Sequence, residues 1–164
     1  MADLPVFRVN YAPVFSHCGV DFAGPFSTKP SVGRSRIVSE TYLALFICLT
    51  SKAVHLEIVS DLSADTFIAT LKRFVVRRGY PTKMYSDYGT NFTSTHHKLH
   101  EVYKLLSSQQ LNKALNTFCL SREIDWYFIP PTSPHFGGIW EANIKSFKRI
   151  LQHITLNSVF IYED

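Results

Sequence analysis

The sequence is poor in cysteine, has no long apolar run and contains no internal repeat. Its three cysteines, Cys18, Cys48 and Cys119, are odd in number, lie far apart and form no CxxC pair. This pattern argues against a disulfide framework and a cysteine-based zinc site, and it favours a reducing, intracellular setting. The most apolar run, Tyr42–Leu49, suits a buried strand and is too short to span a membrane. The early Asp3 and the lack of an apolar segment beside it argue against a secretory signal, so we expect no membrane partner.

Composition predicts one globular domain that tolerates a polyanionic partner. The chain has 164 residues, of which 46% are hydrophobic and 14% aromatic, enough for a substantial core. The net charge is +4 and the isoelectric point is near 9.0, which permits a polyanionic partner without requiring one. We expect residues 1–13 to form an arm or linker and 14–158 to form the domain. We also expect 159–164 to continue in a longer protein.

Local patterns predict a chain in which strands and helices follow one another. Apolar and β-branched runs bounded by turn residues predict five strands: His17–Phe22, Thr41–Leu49, Ala53–Val59, Lys83–Ser86 and Asp125–Ile129. A helical stripe predicts a helix over Ser63–Arg78, ended by Gly79 with Pro81 beyond it. Leucines at helical spacing within Ser94–Leu120 predict one or two further helices.

The second and third strands follow each other closely and are expected to form a hairpin. In the third strand Val54, Leu56 and Ile58 alternate with His55 and Glu57, which is typical of a strand with two different faces. A hairpin makes this part of the sheet antiparallel.

A loop, PPTSPHFGG, precedes a last helix that begins near Ile139. Its prolines and glycines exclude regular structure from the loop. At about 100° per residue, one narrow polar stripe of the helix holds Glu141, Lys145, Lys148 and Gln152. The apolar residues occupy a separate arc that we expect to pack on the sheet: Ile139, Trp140, Ile144, Phe147, Ile150, Leu151 and Ile154.

Three acidic residues lie where a predicted element meets a loop. Asp21 is near the end of the first strand in GVDFAGPF, Asp87 follows the fourth in MYSDYGTNF, and Glu141 opens the last helix. A magnesium ion prefers hard oxygen ligands, and such a site needs two or three carboxylates from separate elements. Two ions held in this way clamp the attacking and the leaving oxygen of a phosphodiester. The three acids therefore predict a two-metal phosphoryl-transfer site.

The order of strand, hairpin, helix, strand, helices, strand and helix, with acids in these places, is the layout of the ribonuclease H-like fold. The predicted class is therefore α/β, with a mixed central sheet of about five strands flanked by helices. The segments GVDFAGPF, KAVHLEIVSDLSADTFIATLKRFVVRRGYP, SDYGTNF and PPTSPHFGGIWEANIKSFKRIL resemble the catalytic core of retroviral and retrotransposon integrases. The resemblance is strongest to the Pao/BEL group of LTR retrotransposons and covers nearly the whole chain.

The resemblance implies roles for individual residues. Asp21, Asp87 and Glu141 match the metal-binding, catalytic triad of the family, which holds two Mg²⁺ or Mn²⁺ ions. Asn91 matches the turn after the second acid and is expected to contact DNA. The interval between the second and third acids exceeds the retroviral one, as in Pao/BEL elements, so we expect a helical insertion within Ser94–Arg122.

The region around the third acid also has counterparts in the family. Pro134, Gly137 and Gly138 match a mobile loop, and Lys145 and Lys148 match helix positions that meet DNA in relatives. The implied activity is metal-dependent 3′-end processing of element DNA, followed by strand transfer into target DNA. The implied partners are double-stranded DNA, both element ends and target, and further copies of the chain in a homo-oligomer. The implied location is intracellular, and nuclear at the integration step.

Less specific interpretations of these residues stay open at this point. An aspartate at a strand end is more often a turn or capping residue than a ligand, so Asp21 alone decides nothing. Lys145 and Lys148 could form only a solvated helix face. His96 and His100 lie four residues apart and could bind a metal, but no second pair of ligands is near them, which favours a solvated helix.

Two other functions also stay open. The first is a ribonuclease H-type nuclease that cleaves RNA in a hybrid. Such enzymes usually take a carboxylate from the first helix, and here that helix offers only Asp65 near its start. The second is a non-catalytic nucleic-acid-binding module derived from an integrase, against which the intact triad argues.

Overall fold

A computed structural model describes residues 12–29, 38–87 and 108–129, and, near the C-terminal end, residues 142, 145–147, 149, 150, 153, 154, 160 and 161. The elements in chain order are β1 (His17–Lys29), β2 (Ser39–Cys48), β3 (Val54–Val59), α1 (Ala64–Arg78), β4 (Lys83–Asp87), α2 (Gln109–Leu120), β5 (Asp125–Ile129) and β6 (Phe160–Ile161). The described residues from 142 to 154 are helical, and we call them the C-terminal helical segment. Among the described residues, no helix is long and apolar enough to cross a membrane.

One mixed sheet organises the molecule, with strand order β3-β2-β1-β4-β5. β2 pairs antiparallel with both β1 and β3, which confirms the predicted hairpin. β1, β4 and β5 run parallel, and the connection between β4 and β5 contains α2, since parallel neighbours need a long crossover. The short β6 lies beside the far end of β1. The predicted mixed sheet of about five strands flanked by helices is confirmed.

Helix α1 begins and ends where the sequence predicts. Ser63 Oγ accepts a hydrogen bond from the Thr66 amide at 3.2 Å and so satisfies a donor that has no partner within the first turn. At the other end Gly79 has a φ of 88°, and its amide donates to the Val75 carbonyl at 2.8 Å. Glycine adopts this left-handed conformation at little cost, which explains why the helix stops there.

The main hydrophobic core lies between one face of the sheet and the two helices. Phe46 of β2 stacks on Phe74 of α1 with ring centroids 4.2 Å apart, and Phe22 of β1 contacts Phe67 of α1 at 5.5 Å. Full burial of one such side chain stabilises the fold by about 1.5–3 kcal/mol. These contacts fix α1 on this face.

Helix α2 lies within the predicted insertion. Its buried residues Leu111, Leu115, Phe118 and Cys119 belong to the main core, and Ser108 caps its first turn. The helical character predicted for this interval is therefore confirmed over α2. Residues 94–107 lie outside the described part of the chain.

The other face of the sheet carries a smaller apolar group of Leu45 and Ile47, which we call the second-face cluster. Phe147 of the C-terminal helical segment packs against it, which confirms that this helix meets the sheet. The prediction is wrong for Ile150 and Ile154, which are 55% and 66% exposed. They lie one and two turns beyond Phe147, so among the described residues of this segment Phe147 is the one that packs on the cluster.

The first strand is longer than the sequence predicts. The expected His17–Phe22 extends to Lys29 because the pairing with β2 continues through an irregularity between Ala23 and Phe26. Gly24 has a φ of 126° and precedes Pro25 at this point. Proline and glycine end a regular strand, but both are tolerated at a bulge.

The buried face of β3 is the polar one. His55 and Glu57 are 6% and 5% exposed, whereas Leu56 and Ile58 are 38% and 45% exposed. Alternation in sequence shows that a strand has two faces. Which of them is buried was decided by the partners that α1 provides for the polar side chains.

Candidate active site

Asp21 lies in β1 on the face of the sheet that carries the second-face cluster. Its neighbours Val20 and Phe22 are buried in the main core, and side chains alternate along a strand. In the antiparallel register Asp21 lies opposite Leu45, a member of the second-face cluster. The carboxylate is half-buried, so it is held by the sheet and still reachable from solvent.

A hydrogen bond turns the Asp21 carboxylate towards β4. The Leu49 amide donates to the His17 carbonyl at 2.9 Å. In this part of β1 the backbone N–H and C=O groups of odd-numbered residues therefore face β2, and those of even-numbered residues face β4. The Phe22 amide therefore faces the β4 side. It donates to Asp21 Oδ1 at 2.8 Å, which places this carboxylate oxygen on the same side of β1 as β4.

The sheet register brings the backbone of Asp87 beside that of Asp21. β1 and β4 are parallel, and Val20 and Ser86 are the last residues paired between them. The next residue on each strand is an aspartate. Ser86 is buried and accepts a hydrogen bond from the Trp126 indole at 3.0 Å, which ties β4 to β5 one residue before Asp87. Two of the three predicted acids thus lie side by side on neighbouring parallel strands; Asp87 ends β4, whereas Asp21 lies within the longer β1 and not at a strand end as predicted.

Glu141 lies outside the described residues, but the helical segment that follows it reaches the face on which Asp21 lies. Phe147 packs on the second-face cluster, six residues beyond Glu141. Lys145 is helical and exposed, as predicted for the polar stripe. Phe147 thus lies on the face that carries Asp21, and the position of Glu141 stays a prediction.

The remaining predicted site residues lie outside the described part of the chain: Asn91, Pro134, Gly137, Gly138 and Lys148, together with His96 and His100. Their roles stay predictions. For Asp87 the described atoms are those of the backbone. Within the described residues, no group of three His, Cys, Asp or Glu side chains is arranged to hold a metal ion.

A network of ion pairs around the buried Glu57 links β3 to α1, and the sequence did not indicate it. Glu57 accepts hydrogen bonds from Arg73 Nε and Arg77 Nη1, both at 2.9 Å, and its third partner is His55 Nε2 at 2.9 Å. Arg78 Nε lies 3.1 Å from His55 Nδ1. An arginine can only donate, so His55 Nδ1 accepts, and Nε2 is the nitrogen that donates to Glu57.

These contacts control the charge of Glu57. Burial by itself would raise the pKa of this carboxyl, but the hydrogen bonds from Arg73 and His55 and the positive charges of Arg77 and Arg73 lower it. Glu57 is therefore an anion held by donors on α1. The signal in the sequence was the pair of arginines four residues apart, which lie on one helix face and can reach the same carboxylate.

Comparison with sequence families assigns the chain. The profile described as Integrase core domain matches residues 16–134, more than half of the sequence. The chain belongs to the integrase core domain family. The match includes Asp21 and Asp87 and ends before Glu141. No curated protein matches the sequence.

Solved integrase structures resemble the fold at low sequence identity. A chain of the simian T-cell lymphotropic virus intasome, solved with PP2A regulatory subunit B56 gamma, is 16% identical with a TM-score of 0.53; the match covers 89% of this chain and 44% of that one. The HTLV-2 integrase catalytic core domain in complex with magnesium, in its trimeric form, is 15% identical with a TM-score of 0.51, covering 88% and 74%. The BIV integrase catalytic core domain is 12% identical with a TM-score of 0.53, covering 88% and 74%.

These similarities confirm the ribonuclease H-like fold of integrase catalytic cores. The chain spans less than half of the intasome chain, so it corresponds to one part of that protein. The family match, and not the low-identity structures, is what points to DNA integration.

Proposed function

We propose that this integrase core catalyses the joining of retrotransposon DNA, of the Pao/BEL type, to target DNA. It first hydrolyses a phosphodiester to trim a 3′ end of the element. The new 3′-hydroxyl then attacks a phosphodiester of the target in a transesterification. The observation that carries this proposal is that Asp21 and Asp87 directly follow the last paired residues, Val20 and Ser86, of two adjacent parallel strands, within a member of the integrase core family.

The donor set suits two Mg²⁺ or Mn²⁺ ions. Asp21 supplies hard carboxylate oxygens, is half-buried and is turned towards β4. We assign Asp87 and Glu141 as the other ligands. When bound, the two ions supply Lewis-acid activation of the attacking oxygen and stabilise charge on the leaving oxygen. Without cations the carboxylates repel one another.

Other residues position the DNA in this proposal. Lys145, which is exposed, and Lys148 contact phosphates, and Asn91 contacts DNA near the second acid. The loop of Pro134, Gly137 and Gly138 moves during turnover. Phosphate contacts carry no sequence information, so target choice is expected to be weak.

Replacing single acids tests the assignment. Asp21→Asn, Asp87→Asn and Glu141→Gln keep the side-chain shape but remove a charge that the ions require, so each variant should lose detectable 3′-end processing and strand transfer. Labelled DNA duplexes with randomised ends serve as substrates, so that the assay assumes no terminal sequence. The matched control is Asp65→Asn, an equal charge change at an exposed position of α1. Full activity in any of the three triad variants contradicts the assignment.

The ribonuclease H alternative makes a different prediction. A ribonuclease H would cleave the RNA strand of an RNA–DNA hybrid in the presence of Mg²⁺. This cleavage would depend on a carboxylate of the first helix, here Asp65. Helix α1 packs on the face of the sheet opposite Asp21, which favours the integrase proposal. Hybrid cleavage that is lost in Asp65→Asn would support the alternative.

A non-catalytic module is distinguished by metal binding. Such a module has no need for the ions, so calorimetric titration with Mn²⁺ should show no binding that depends on Asp21. We expect binding that Asp21→Asn removes.

We also propose that the active form is a homo-oligomer on DNA that works in the nucleus of the cell. The HTLV-2 core was solved in dimeric and trimeric forms, and the simian relative as an intasome. Light scattering after size-exclusion chromatography, with and without duplex DNA, measures the oligomeric state. The core boundaries of 14–158 stay a prediction.

A further inference from the structure

Two of the three cysteines lie directly opposite each other on neighbouring strands. Cys18 of β1 pairs with Cys48 of β2 in the antiparallel register. The Leu49 amide donates to the His17 carbonyl, whereas the Cys48 amide donates to the Ala53 carbonyl, away from β1. Cys18 and Cys48 are therefore a non-hydrogen-bonded pair, in which Cα atoms are about 4.5 Å apart and the side chains lie close together. This separation is within the range that a disulfide spans.

The Cys48 sulfur lies in a site that favours its anion. Sγ accepts hydrogen bonds from the Phe15 amide at 3.2 Å and the Ser51 amide at 3.4 Å. Burial by itself would raise the pKa of the Cys48 thiol, but hydrogen bonds from the Ser51 side chain and from the amides of Ser51, Phe15 and Thr50 lower it. Because the thiolate is the reactive form, Cys48 is the more nucleophilic of the pair.

The Cys18 sulfur lies in a different environment. Its S–H donates to the Phe15 carbonyl at 3.0 Å. Burial, and then the neighbouring Cys48, raise the pKa of the Cys18 thiol. Phe15 thus contacts both sulfurs, as donor to one and acceptor from the other. It belongs to a short turn whose first residue, Val14, is 56% exposed, while Phe15 itself and both cysteines are buried.

We propose that Cys18 and Cys48 form a reversible disulfide when the protein meets a peroxide, with Cys48 oxidised first. The Cys48 thiolate attacks one oxygen of the peroxide and the O–O bond breaks. With hydrogen peroxide this leaves a Cys48 sulfenic acid and a hydroxide that becomes water. The Cys18 sulfur then attacks the Cys48 sulfur, the S–S bond forms and the S–O bond breaks. The departing hydroxide takes the Cys18 proton as a second water, so two thiols are oxidised and one peroxide is reduced.

Cys119 is an internal control for this reaction. It is buried in α2 and has no cysteine opposite it, since the other two form the pair. Burial raises the pKa of its thiol to about 11. It should remain a thiol under conditions that oxidise the pair.

Peptide mapping of the whole chain tests the proposal. The folded protein is treated with hydrogen peroxide, the remaining thiols are alkylated, and the peptides are identified by mass spectrometry without reduction. We expect a linked peptide that joins Cys18 to Cys48 and lacks the mass of two hydrogen atoms, while Cys119 is alkylated. Dithiothreitol should restore both thiols. In the chain unfolded by urea, oxidation should no longer select this pair.

Single substitutions test the order of events. Cys18→Ala should leave a sulfenic acid at Cys48 that dimedone traps, whereas Cys48→Ala should leave Cys18 as a thiol. Cys119→Ala should form the same disulfide as the wild type. The proposal is overturned if dimedone labels Cys18 in preference to Cys48. It is also overturned if folded wild-type protein gives no linked peptide in peroxide that oxidises the unfolded chain, a result that requires no variant to fold.

Discussion

At the scale of single residues, the proposed role of Asp21 depends on its position in the sheet. An aspartate in sequence can cap a turn as readily as bind a metal. Here the Phe22 amide turns the carboxylate towards β4, where the register places Asp87 next along the neighbouring strand. Lys145 acquires its proposed role similarly, because Phe147 packs on the face that carries Asp21 and leaves Lys145 exposed.

Reversing the charge of the two stripe lysines should weaken DNA binding. Lys145→Glu with Lys148→Glu removes cations that displace counterions from phosphates, so the log–log salt slope should flatten by about one unit for each phosphate that is no longer neutralised. Fluorescence anisotropy with a labelled duplex at several salt concentrations measures affinity and slope. The control pair, Lys52→Glu with Lys72→Glu, makes the same charge change at exposed positions outside the stripe. Wild-type affinity and slope in the stripe variant would show that DNA follows another path.

At the scale of elements, β3 and α1 are joined by charge as well as by apolar contact. The side chains of Arg73 and Arg77 are 43% and 61% exposed, whereas that of Glu57 is 5% exposed. If Glu57 is removed, the arginines can turn to water. The buried His55 Nε2 then loses its acceptor, and an unsatisfied buried donor costs about 1–3 kcal/mol.

Glu57→Gln keeps one oxygen that can accept from His55, but it removes the charge paired with Arg73 and Arg77 and turns an NH₂ group towards one of these donors. The substitution should therefore lower the free energy of unfolding at neutral pH and change its pH dependence. The folded-state pKa of Glu57 lies below the ordinary value of 4.5, so its stabilising contribution is complete above that value and is lost as the pH falls through the folded pKa. Urea unfolding should be measured between pH 3 and 7, roughly the range in which carboxylates titrate. The free energy of unfolding should fall less steeply with decreasing pH in the variant than in the wild type. Glu123→Gln, at an exposed site, is the control. If the free energy of unfolding falls equally with decreasing pH in the wild type and in Glu57→Gln, the lowered pKa is contradicted.

At the scale of the whole molecule, the two faces of the sheet differ in what they contact. One face holds the main core with α1 and α2. The other carries Asp21, the second-face cluster and Phe147. The candidate site thus lies on a sheet whose opposite face carries the larger apolar core, and sites built on packed strands are held more accurately than sites on loops.

Divalent cations should stabilise the fold through the proposed triad. An ion that binds only the folded state at 100 times its Kd adds about 2.7 kcal/mol, and proteins of this size gain roughly 2–4 °C in Tm per kcal/mol. Mn²⁺ should raise the Tm of wild type and of Asp65→Asn in thermal scans. It should raise the Tm of Asp21→Asn or Asp87→Asn much less. An equal rise in all four proteins would place the bound metal elsewhere.

The sequence by itself determined the features that depend on neighbours a few residues away. Ser63 and Gly79 set the limits of α1 because capping is a local hydrogen-bond requirement. The bounds of β5 agree with the prediction, and those of β2, β3 and β4 differ by one or two residues. The two aspartates were identified from their local contexts, and the resemblance to integrases depended on the same short segments.

Only the tertiary structure decided what depends on pairing between distant segments. β1 extends past Pro25 because it continues to pair with β2 beyond the irregularity. The tertiary structure buried Glu57, because α1 supplied the donors. It set Cys18 opposite Cys48 and Asp21 beside Asp87, because strand register joins residues that no local pattern relates. A shift of the register by one residue would turn each side chain to the other face and separate both pairs.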